Sequence, residues 1–570
     1  MMRVEKKDSY RPWRPRLRLV AVVLWAGGWG GSGGAYALNL DTGNPDLQVR
    51  FDNTVKLSTV YRTESADAKL VDPYRLLVPG VPASAFPQAL NFNAGDDNFR
   101  KRGFASARVD LLSELDVVYQ RQFGLRISGA AWYDDYYHRA SDALGPVNGQ
   151  NPLDEFPDRT QRLSGGDGEV LDAFVFGGWD IAGKRLNVRL GQHALQYGES
   201  LFFGDNGIAR AQGPIDINKL LSSPNAQFKE IIRPVPQLSA QLQLSPNVAL
   251  GGYVQFGWEE DRLPPAGSYF STANIPWGSS QPESVGIPAG PIAGNYVLHS
   301  GKNKEASDSG QFGLQLKWRV GETDLGFYFA RYHDKGGQLY GDLNVSNPAD
   351  SRWYYVFPEA IKTAGVSVSH TFGEVNFALE ASVRKDMPLR STNMLYPSAF
   401  SAAPRYATGR TAHVNLSWLA SFGPNFIANE SSLVGELAWN RVLKTDDPDH
   451  QLDHGVTRSA TAVQFIYTPT YRQALTGLDL NIPVGVRYTL DGHSAITPWN
   501  ARDSGAATIG IEGNYLSVWQ FSVIYTHYLG KAVPFVDYSG LLTPGGHAEY
   551  GDGNPLADRN HIAISLRRTF

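Results

Sequence analysis

Three residues in one short stretch carry the functional groups of a nucleophilic triad. His193, Glu199 and Ser200 supply an imidazole, a carboxylate and a hydroxyl. The serine follows Tyr-Gly-Glu, whereas α/β-hydrolases present their nucleophile in a Gly-x-Ser-x-Gly turn. The pattern does not favour an enzyme, so we predict no catalytic residue. The enzymatic alternative is a phospholipase, which would lose its lipase activity on Ser200→Ala.

Carboxylates and histidines also occur together in two further stretches. They are YDDYYH at 133–138 and DDPDH at 446–450. Such groups could hold a hard metal ion, or they could belong to solvated loops and attract cations that bridge phosphate groups. We favour solvated loops, and we predict no metal and no cofactor.

The elements that would position these residues are β-strands. Apolar residues occupy every second position in ARVDLLSELDVVY (107–119), QFGLQLKWR (311–319) and YLSVWQFSVIYTHY (515–528). A period of two is typical of strands with one apolar face. The chain is rich in glycine and aromatic residues, and its mean hydropathy of −0.29 is too polar for a bundle of membrane helices. The composition therefore indicates an all-β protein.

The connections between these stretches alternate between short and long. About eighteen stretches run from FDNTVKLSTVY, near residue 51, to the C-terminal HIAISLRRTF. Outer-membrane barrels have short periplasmic turns and long external loops. We predict a closed antiparallel transmembrane β-barrel of about 18 strands, with long external loops partly folded into the lumen. Sixteen strands are possible, because 410–420 and 459–468 are weakly patterned.

The alternation assigns side chains to the two faces of the wall. A lipid-facing arginine at mid-depth would cost about 2 to 4 kcal/mol, so the many charged residues that alternate with apolar ones must face a lumen. The predicted lumen-lining residues are Arg108, Asp110, Glu114, Asp116, Arg126, Arg185, Arg189, Lys317, Arg319, Glu380, Arg384 and Arg487. These charges could pair across the wall and stiffen the barrel, or they could create a field that selects solutes.

Wall side chains alone cannot fill such a barrel, which would be roughly 35 Å across. The long connection 193–236 is our candidate for a constriction loop. Its candidate residues are Gln192, His193, Tyr197, Glu199, Ser200, Phe202 and Phe203. Its segment 218–230 could form a short amphipathic helix that either narrows the lumen or caps the barrel from outside; we favour the lumen.

Two aromatic clusters could provide an apolar path for a solute. They are SLFFG (200–204) and RWYYVFP (352–358). Taken singly, such aromatics are more often packing or membrane-interface residues. We nevertheless predict that residues 201–203 lie inside the barrel against its wall.

Both ends of the chain fit an exported barrel. Residues 1–37 combine basic residues, a short apolar run and Ala35-Tyr36-Ala37, so we predict a signal peptide followed by a barrel over 38–570. The remaining 45 basic and 54 acidic residues argue against a nucleic-acid partner. Phe570, preceded by alternate apolar residues, resembles the signal that the barrel-assembly machinery recognises, with Arg568 where an aromatic is common.

The chain resembles the proteobacterial family catalogued as domain of unknown function 1302. The resemblance covers nearly the whole mature chain, including FDNTVKLSTVYR, SARVDLLSELDVVY, GLRISGAAWYDDYY and residues 189–250. Its most specific part is Gly191-Gln192 followed by Tyr197-Gly198-Glu199-Ser200. The family often has tryptophan where this chain has Tyr197.

The resemblance implies a barrel in the outer membrane of a Gram-negative bacterium. Members tend to be encoded beside a LolB-like periplasmic protein and an inner-membrane lipid-type transporter, often among genes for degrading steroids, terpenes or other apolar compounds. We therefore expect a channel for hydrophobic or amphipathic small molecules that works with such partners and contacts outer-membrane lipid and lipopolysaccharide. The alternative is a plugged structural or surface-interaction barrel without general solute flux.

Overall fold

A computed structural model of the chain describes residues 38–71, 93–142, 155–273, 283–287, 294–391, 395–397, 406–446, 452–537 and 548–570. The predicted signal peptide and residues 447–450 of the DDPDH stretch lie outside these ranges.

Eighteen antiparallel strands form one sheet. They are β1 (Leu47–Arg62), β2 (Gly103–Tyr119), β3 (Phe123–Asp134), β4 (Gly166–Ile181), β5 (Lys184–His193), β6 (Val235–Ser245), β7 (Val248–Gln255), β8 (Gln311–Val320), β9 (Thr323–Tyr332), β10 (Ile361–Phe372), β11 (Val375–Pro388), β12 (Thr408–Phe422), β13 (Glu430–Thr445), β14 (Ser459–Leu475), β15 (Leu478–Asn481 and Val484–Asp491), β16 (Gly505–Tyr515), β17 (Trp519–Leu529) and β18 (His561–Thr569). A short strand, Leu38–Leu40, pairs with the start of β1.

The sheet closes where β18 pairs with β1. Leu566 lies opposite Leu57, and Phe570 exchanges two backbone hydrogen bonds with Asn53. Closure leaves no strand edge without a partner, as a sheet in hydrocarbon requires. The predicted closed antiparallel barrel is confirmed, with eighteen strands.

The two weakly patterned stretches are regular strands, β12 and β14. Their alternation is blurred because the inner face of β14 carries Ala460 and Ala462, which pack against Phe203 and Trp499. In β12 the inward residue Leu419 is apolar and the outward residue Arg410 is charged.

One end of the barrel has the short turns and the other has the long loops. Two or three residues connect β2 to β3 and β8 to β9, for example, whereas residues 194–234 connect β5 to β6. Short helices lie in the long connections: α-helices at Ala68–Val71, Ala94–Asn98, Asp158–Thr160, Ile217–Ser222 and Phe228–Ile231, 3-10 helices at Asp135–His138, Ile208–Ala211 and Pro348–Asp350, and a π-helix at Gln161–Gly165. Within the described ranges, no helix has the length and apolar character needed to cross a membrane.

A second, five-stranded sheet lies in the long loops. Its strands are Glu283–Ile287, Gly294–Ser300, Gln338–Leu343, Ser351–Val356 and Leu395–Pro397. Trp353, Tyr355 and Phe357 are buried in its core together with Trp258. The RWYYVFP aromatics are thus packing residues of this sheet, so they are not available as a solute path.

Candidate functional site

The connection of residues 194–234, here called the crossing loop, enters the barrel. Its first half is held by two buried glutamates on the inner wall. Glu436, on β13, accepts hydrogen bonds of 2.5–3.1 Å from the N–H groups of residues 201–203. Glu380, on β11, accepts bonds from the N–H groups of Glu199, at 2.7 Å, and Ile208, at 2.5 Å. These carboxylates pair backbone donors that would otherwise be buried without a partner.

The same wall also pairs the carbonyl groups of the loop. Arg384, on β11, donates bonds of 2.7–3.1 Å to the carbonyl oxygens of Asp205, Asn206 and Gly207. The Asn206 side chain bonds to His413 at 2.9 Å and to Asn440 at 3.1 Å. Residues 199–208 are therefore fixed to β11, β12 and β13 by both donors and acceptors.

Gly198 makes the close approach to Glu380 possible. Its φ is +94°, in the region that favours glycine. A Cβ at this position would lie 2.3 Å from Glu380 Oε2. The Tyr-Gly-Glu-Ser motif therefore requires glycine at this position, because a larger residue would collide with Glu380.

The second half of the crossing loop is held by charged side chains on other strands. Lys219 pairs with Glu169 of β4 at 2.9 Å, and Lys229 pairs with Glu114 of β2. Lys56 of β1 donates a 2.6 Å bond to Ser223 Oγ and lies 3.6 Å from Glu230. Segment 218–230 therefore contacts the inner wall, as expected for a segment inside the lumen. It forms two short helices, where the sequence predicted one.

The two sets of contacts lie on nearly opposite walls. Strands β2 and β12 are ten positions apart in one direction around the eighteen-stranded barrel and eight in the other. A loop that is bonded to both must cross the lumen. Burial raises the pKa of Asp205, in the first half of the loop, even though Arg487, Arg210 and Arg384 oppose the shift.

Several candidate wall charges are paired with each other. Arg126 bonds to Glu114, to Asp116 and, at 3.4 Å, to Asp172. Arg108 pairs with Asp110 at 2.7 Å. Near the short turns, Arg185 pairs with Asp180 at 3.1 Å and Arg319 with Asp324 at 2.7 Å. These pairs stiffen the wall.

Several inward-facing cations form no ion pair with a described residue. Among them are Arg189, whose guanidinium lies 5.7 Å from the centre of the Phe174 ring, Arg487, which lies 5.2 Å from that of Phe203, and Lys317. The first alternative, pairing across the wall, describes the paired residues, while a field that selects solutes stays a prediction for the cations without an ion pair.

Two of the candidate constriction residues do not belong to the loop. Gln192 and His193 end β5. Gln192 donates to the carbonyl oxygens of Val170 and Leu171, where β4 carries a bulge. The alternation along β5 had not shown where the strand ends, because a strand end is set by its neighbour as much as by its own residues.

The residues of the possible triad are held by different walls. The His193 imidazole bonds to Ser239 Oγ of β6 at 2.8 Å, whereas Ser200 Oγ accepts a 3.4 Å bond from Asn415 of β12. In the described part of the chain, no group of three or more histidines and carboxylates is placed to hold a metal ion. In the YDDYYH stretch, His138 stacks on Tyr133 and Asp135 pairs with Arg139.

Within the lumen the crossing loop exposes apolar side chains. Leu201, Leu220 and Phe228 are 38%, 47% and 58% exposed, while their neighbours are bonded to the walls. By contrast, Phe203 is fully buried against Trp499 and the alanines of β13 and β14, with Phe202 beside it. The 201–203 cluster thus lies inside the barrel, where Phe203 packs and Leu201 is accessible.

An apolar strip continues on the wall towards the short turns. Leu419, Val434 and Ile466 lie side by side in register on β12, β13 and β14. Val434 is two residues from Glu436 and therefore shares its inward face. Leu419, two residues from the inward Ser417, is 44% exposed, although it faces away from lipid. The sequence showed these residues only as interruptions of the alternation.

The model of one protein family spans residues 16–570, nearly the whole chain. Its description is "Protein of unknown function (DUF1302)". The chain belongs to this family. The expected resemblance is confirmed, and no curated protein matches the sequence.

Solved structures of other barrels are similar to this DUF1302 protein. OccAB4 of Acinetobacter baumannii has 9% identity and a TM-score of 0.41, and the match covers 92% of this chain and all of that one. OccK9 (OpdG) of Pseudomonas aeruginosa has 10% identity and a TM-score of 0.37, with 92% and 98% covered. The outer membrane channel DcaP of A. baumannii has 10% identity and a TM-score of 0.35, with 94% and 100% covered.

Proposed function

We propose that this DUF1302 protein is an outer-membrane channel for hydrophobic or amphipathic small molecules. The observation that carries the proposal is the exposure of Leu201, Leu220 and Phe228 inside the barrel, on a loop fixed at both walls. Apolar groups in contact with lumen water are unfavourable unless something apolar covers them. A passing solute would cover them transiently.

The arrangement offers such a solute two kinds of contact. Its apolar part would move from Leu201 to the strip of Leu419, Val434 and Ile466 beyond Glu436. A polar or anionic group on the solute would meet Arg487 or Lys317, which have no ion-pair partner among the described residues. The paired charges elsewhere on the wall already have partners, so they bind a polar group of the solute less strongly than Arg487 or Lys317 would.

Blockade of single-channel current by submicellar cholate tests the proposal in planar bilayers. The variant Leu201→Ser/Leu220→Ser/Phe228→Ser should keep its conductance steps but need roughly tenfold more cholate for half-blockade, because partly buried apolar contacts are lost. Phe426→Ser is the matched control: this residue is 98% exposed in the turn between β13 and β12, outside the lumen. Equal sensitivity of triple variant and control would contradict the proposal.

A plugged barrel is the competing function. The many bonds of the crossing loop favour it, since a loop held this firmly could close the lumen. It predicts no steady conductance from the unmodified protein, and therefore no cholate effect to compare.

The proposed transport includes a LolB-like periplasmic protein and an inner-membrane lipid-type transporter as partners. Support for this part comes only from the family resemblance. Purification of the barrel from crosslinked cells tests this partnership separately from the bilayer experiment. The inner-membrane partner should co-purify with the barrel and should be absent from a control sample that lacks the barrel.

A further inference from the structure

A row of basic residues crosses the outer, lipid-facing surface of the barrel at the long-loop end. On β9, β10 and β11, Arg331 lies directly opposite Lys362, and Lys362 lies directly opposite Lys385. On β12 and β13, Arg410 lies opposite Lys444, and Ala412 lies opposite Arg441. The β11 bulge at Lys385 and Asp386 faces Arg410 and joins the two parts of the row.

The exposed apolar neighbours show that this row faces outward. Phe329 and Val383, two residues from Arg331 and Lys385, are exposed on the lipid-facing surface. Lys362 pairs in register with both Arg331 and Lys385 and shares their face. In β12, Thr411 and His413 are buried inside, so Arg410 points to the other face.

The row has few acidic partners. Lys362 lies 3.8 Å from Asp386, and Lys444 lies 3.9 Å from Asp446. Lys385, Arg410 and Arg441 form no ion pair with any residue in the described ranges. Like charges directly opposite each other on neighbouring strands destabilise a sheet, so the row needs an anion.

Three other strands carry apolar or aromatic residues on the outward face at this level. They are Tyr61 of β1, Val254 of β7 and Phe312 of β8, which pairs with Arg331. The basic residues of β9–β13 thus lie beside an exposed apolar surface. Phosphate groups of membrane lipids lie at this depth, and basic clusters bind them.

We infer that this row binds the phosphate groups of an outer-leaflet glycolipid. Its guanidinium and ammonium groups would each hold phosphate oxygens, arginine in a bidentate manner. A lipid is the favoured source because the row adjoins the exposed apolar residues, such as Phe329 and Val383, on which acyl chains would lie. The site is independent of the proposed transport.

Binding of purified diphosphoryl lipid A to the detergent-solubilised barrel, followed by native mass spectrometry, tests the inference. Lys385→Gln/Arg410→Gln should weaken binding by about 25-fold, at about fivefold for each basic residue near an anionic surface. The control Arg121→Gln/Lys184→Gln removes two exposed charges next to the short turns and should leave binding unchanged. The charge-preserving variant Lys385→Arg/Arg410→Lys should bind as the unmodified protein does, which separates charge from folding.

The source of the phosphate is tested with two further probes. Dephosphorylated lipid A should bind the unmodified protein and the Lys385→Gln/Arg410→Gln variant equally. Millimolar inorganic phosphate should not displace diphosphoryl lipid A from the unmodified protein. Equal binding by the Lys385→Gln/Arg410→Gln variant would overturn the site. Displacement by inorganic phosphate would overturn the assignment to a lipid.

Discussion

At the scale of single residues, Gly198 gives the sharpest test of whether the crossing loop is held in place by its close approach to Glu380. Gly198→Ala would place a methyl group 2.3 Å from Glu380 Oε2 in a residue with positive φ. We expect a loss of about 1–3 kcal/mol in loop stability and therefore a larger, noisier single-channel current. Gly204→Ala is the control, because its added Cβ would come no closer than 3.7 Å to Ala209 Cβ. Indistinguishable currents from the two variants would show that the loop does not depend on this approach.

Glu260 should make ion selectivity depend on pH. Burial raises its pKa to about 7, against the opposing charges of Arg159 and Arg233, in a cavity of about 180 Å³ that also contains Arg162 and Arg262. Below pH 7 Glu260 is neutral and the cavity is more positive; above pH 7 it is anionic. Since its pKa is raised, its ionisation opposes folding as the pH rises through 7.

Reversal potentials measured in a salt gradient at pH 6 and pH 8 test this. The unmodified protein should be more anion-selective at pH 6, and Glu260→Gln should reduce the difference between the two values. Burial lowers the pKa of Lys335 to about 7, so this lysine also loses its positive charge between pH 6 and pH 8. It accounts for the pH dependence of selectivity that remains in Glu260→Gln. An undiminished pH effect in Glu260→Gln would assign the change elsewhere.

At the scale of elements, the second half of the crossing loop can lose two of its wall contacts without leaving a wall charge unpaired. Lys219→Met leaves Glu169 its 2.9 Å contact with Arg262, and Lys229→Met leaves Glu114 its contact with Arg126. The double variant should therefore keep barrel stability but show larger conductance steps. Lys219→Arg/Lys229→Arg should behave as the unmodified protein. A lower unfolding temperature with normal conductance would mean that these lysines stabilise the barrel and do not position the loop.

Most strands were predictable from the sequence because they repeat a two-residue period against lipid, whereas β12 and β14 repeat it only weakly. The path of the crossing loop was not, because it depends on contacts between residues far apart, such as Glu436 with the N–H groups of 201–203. The prediction that residues 201–203 lie inside was based on the need of an apolar solute for an apolar path through the lumen. That prediction could not show that Phe203 packs while Leu201 remains exposed, since the distinction depends on the alanines of β13 and β14.

At the scale of the whole molecule, the seam between β1 and β18 determines whether the barrel closes. A buried group of four charges lies at its long-loop end: Arg62 ends β1, Asp558 and Arg559 precede β18, and Asp96 comes from the loop between β1 and β2. Tyr269, from a further long loop, packs its ring near both arginines. The group thus joins the two ends of the sheet to two loops.

Arg559→Met should weaken this seam in a pH-dependent manner. Removing one cation leaves two buried carboxylates with Arg62 alone, at a cost of about 3–5 kcal/mol. Burial and the neighbouring Asp96 already raise the pKa of Asp558 to about 6, so the folded state holds its proton more tightly than the unfolded state does. The contribution of Asp558 to the stability of the folded state is therefore largest at low pH and is lost as the pH rises through 6. Loss of Arg559 should enlarge this pH dependence.

We expect the temperature at which the folded gel band of Arg559→Met disappears to fall markedly at pH 8 and less at pH 5. Arg502→Met, which removes an exposed arginine beside Asp503, should shift it at neither pH. An equal fall at both pH values would mean that Arg559 acts through packing and not through charge.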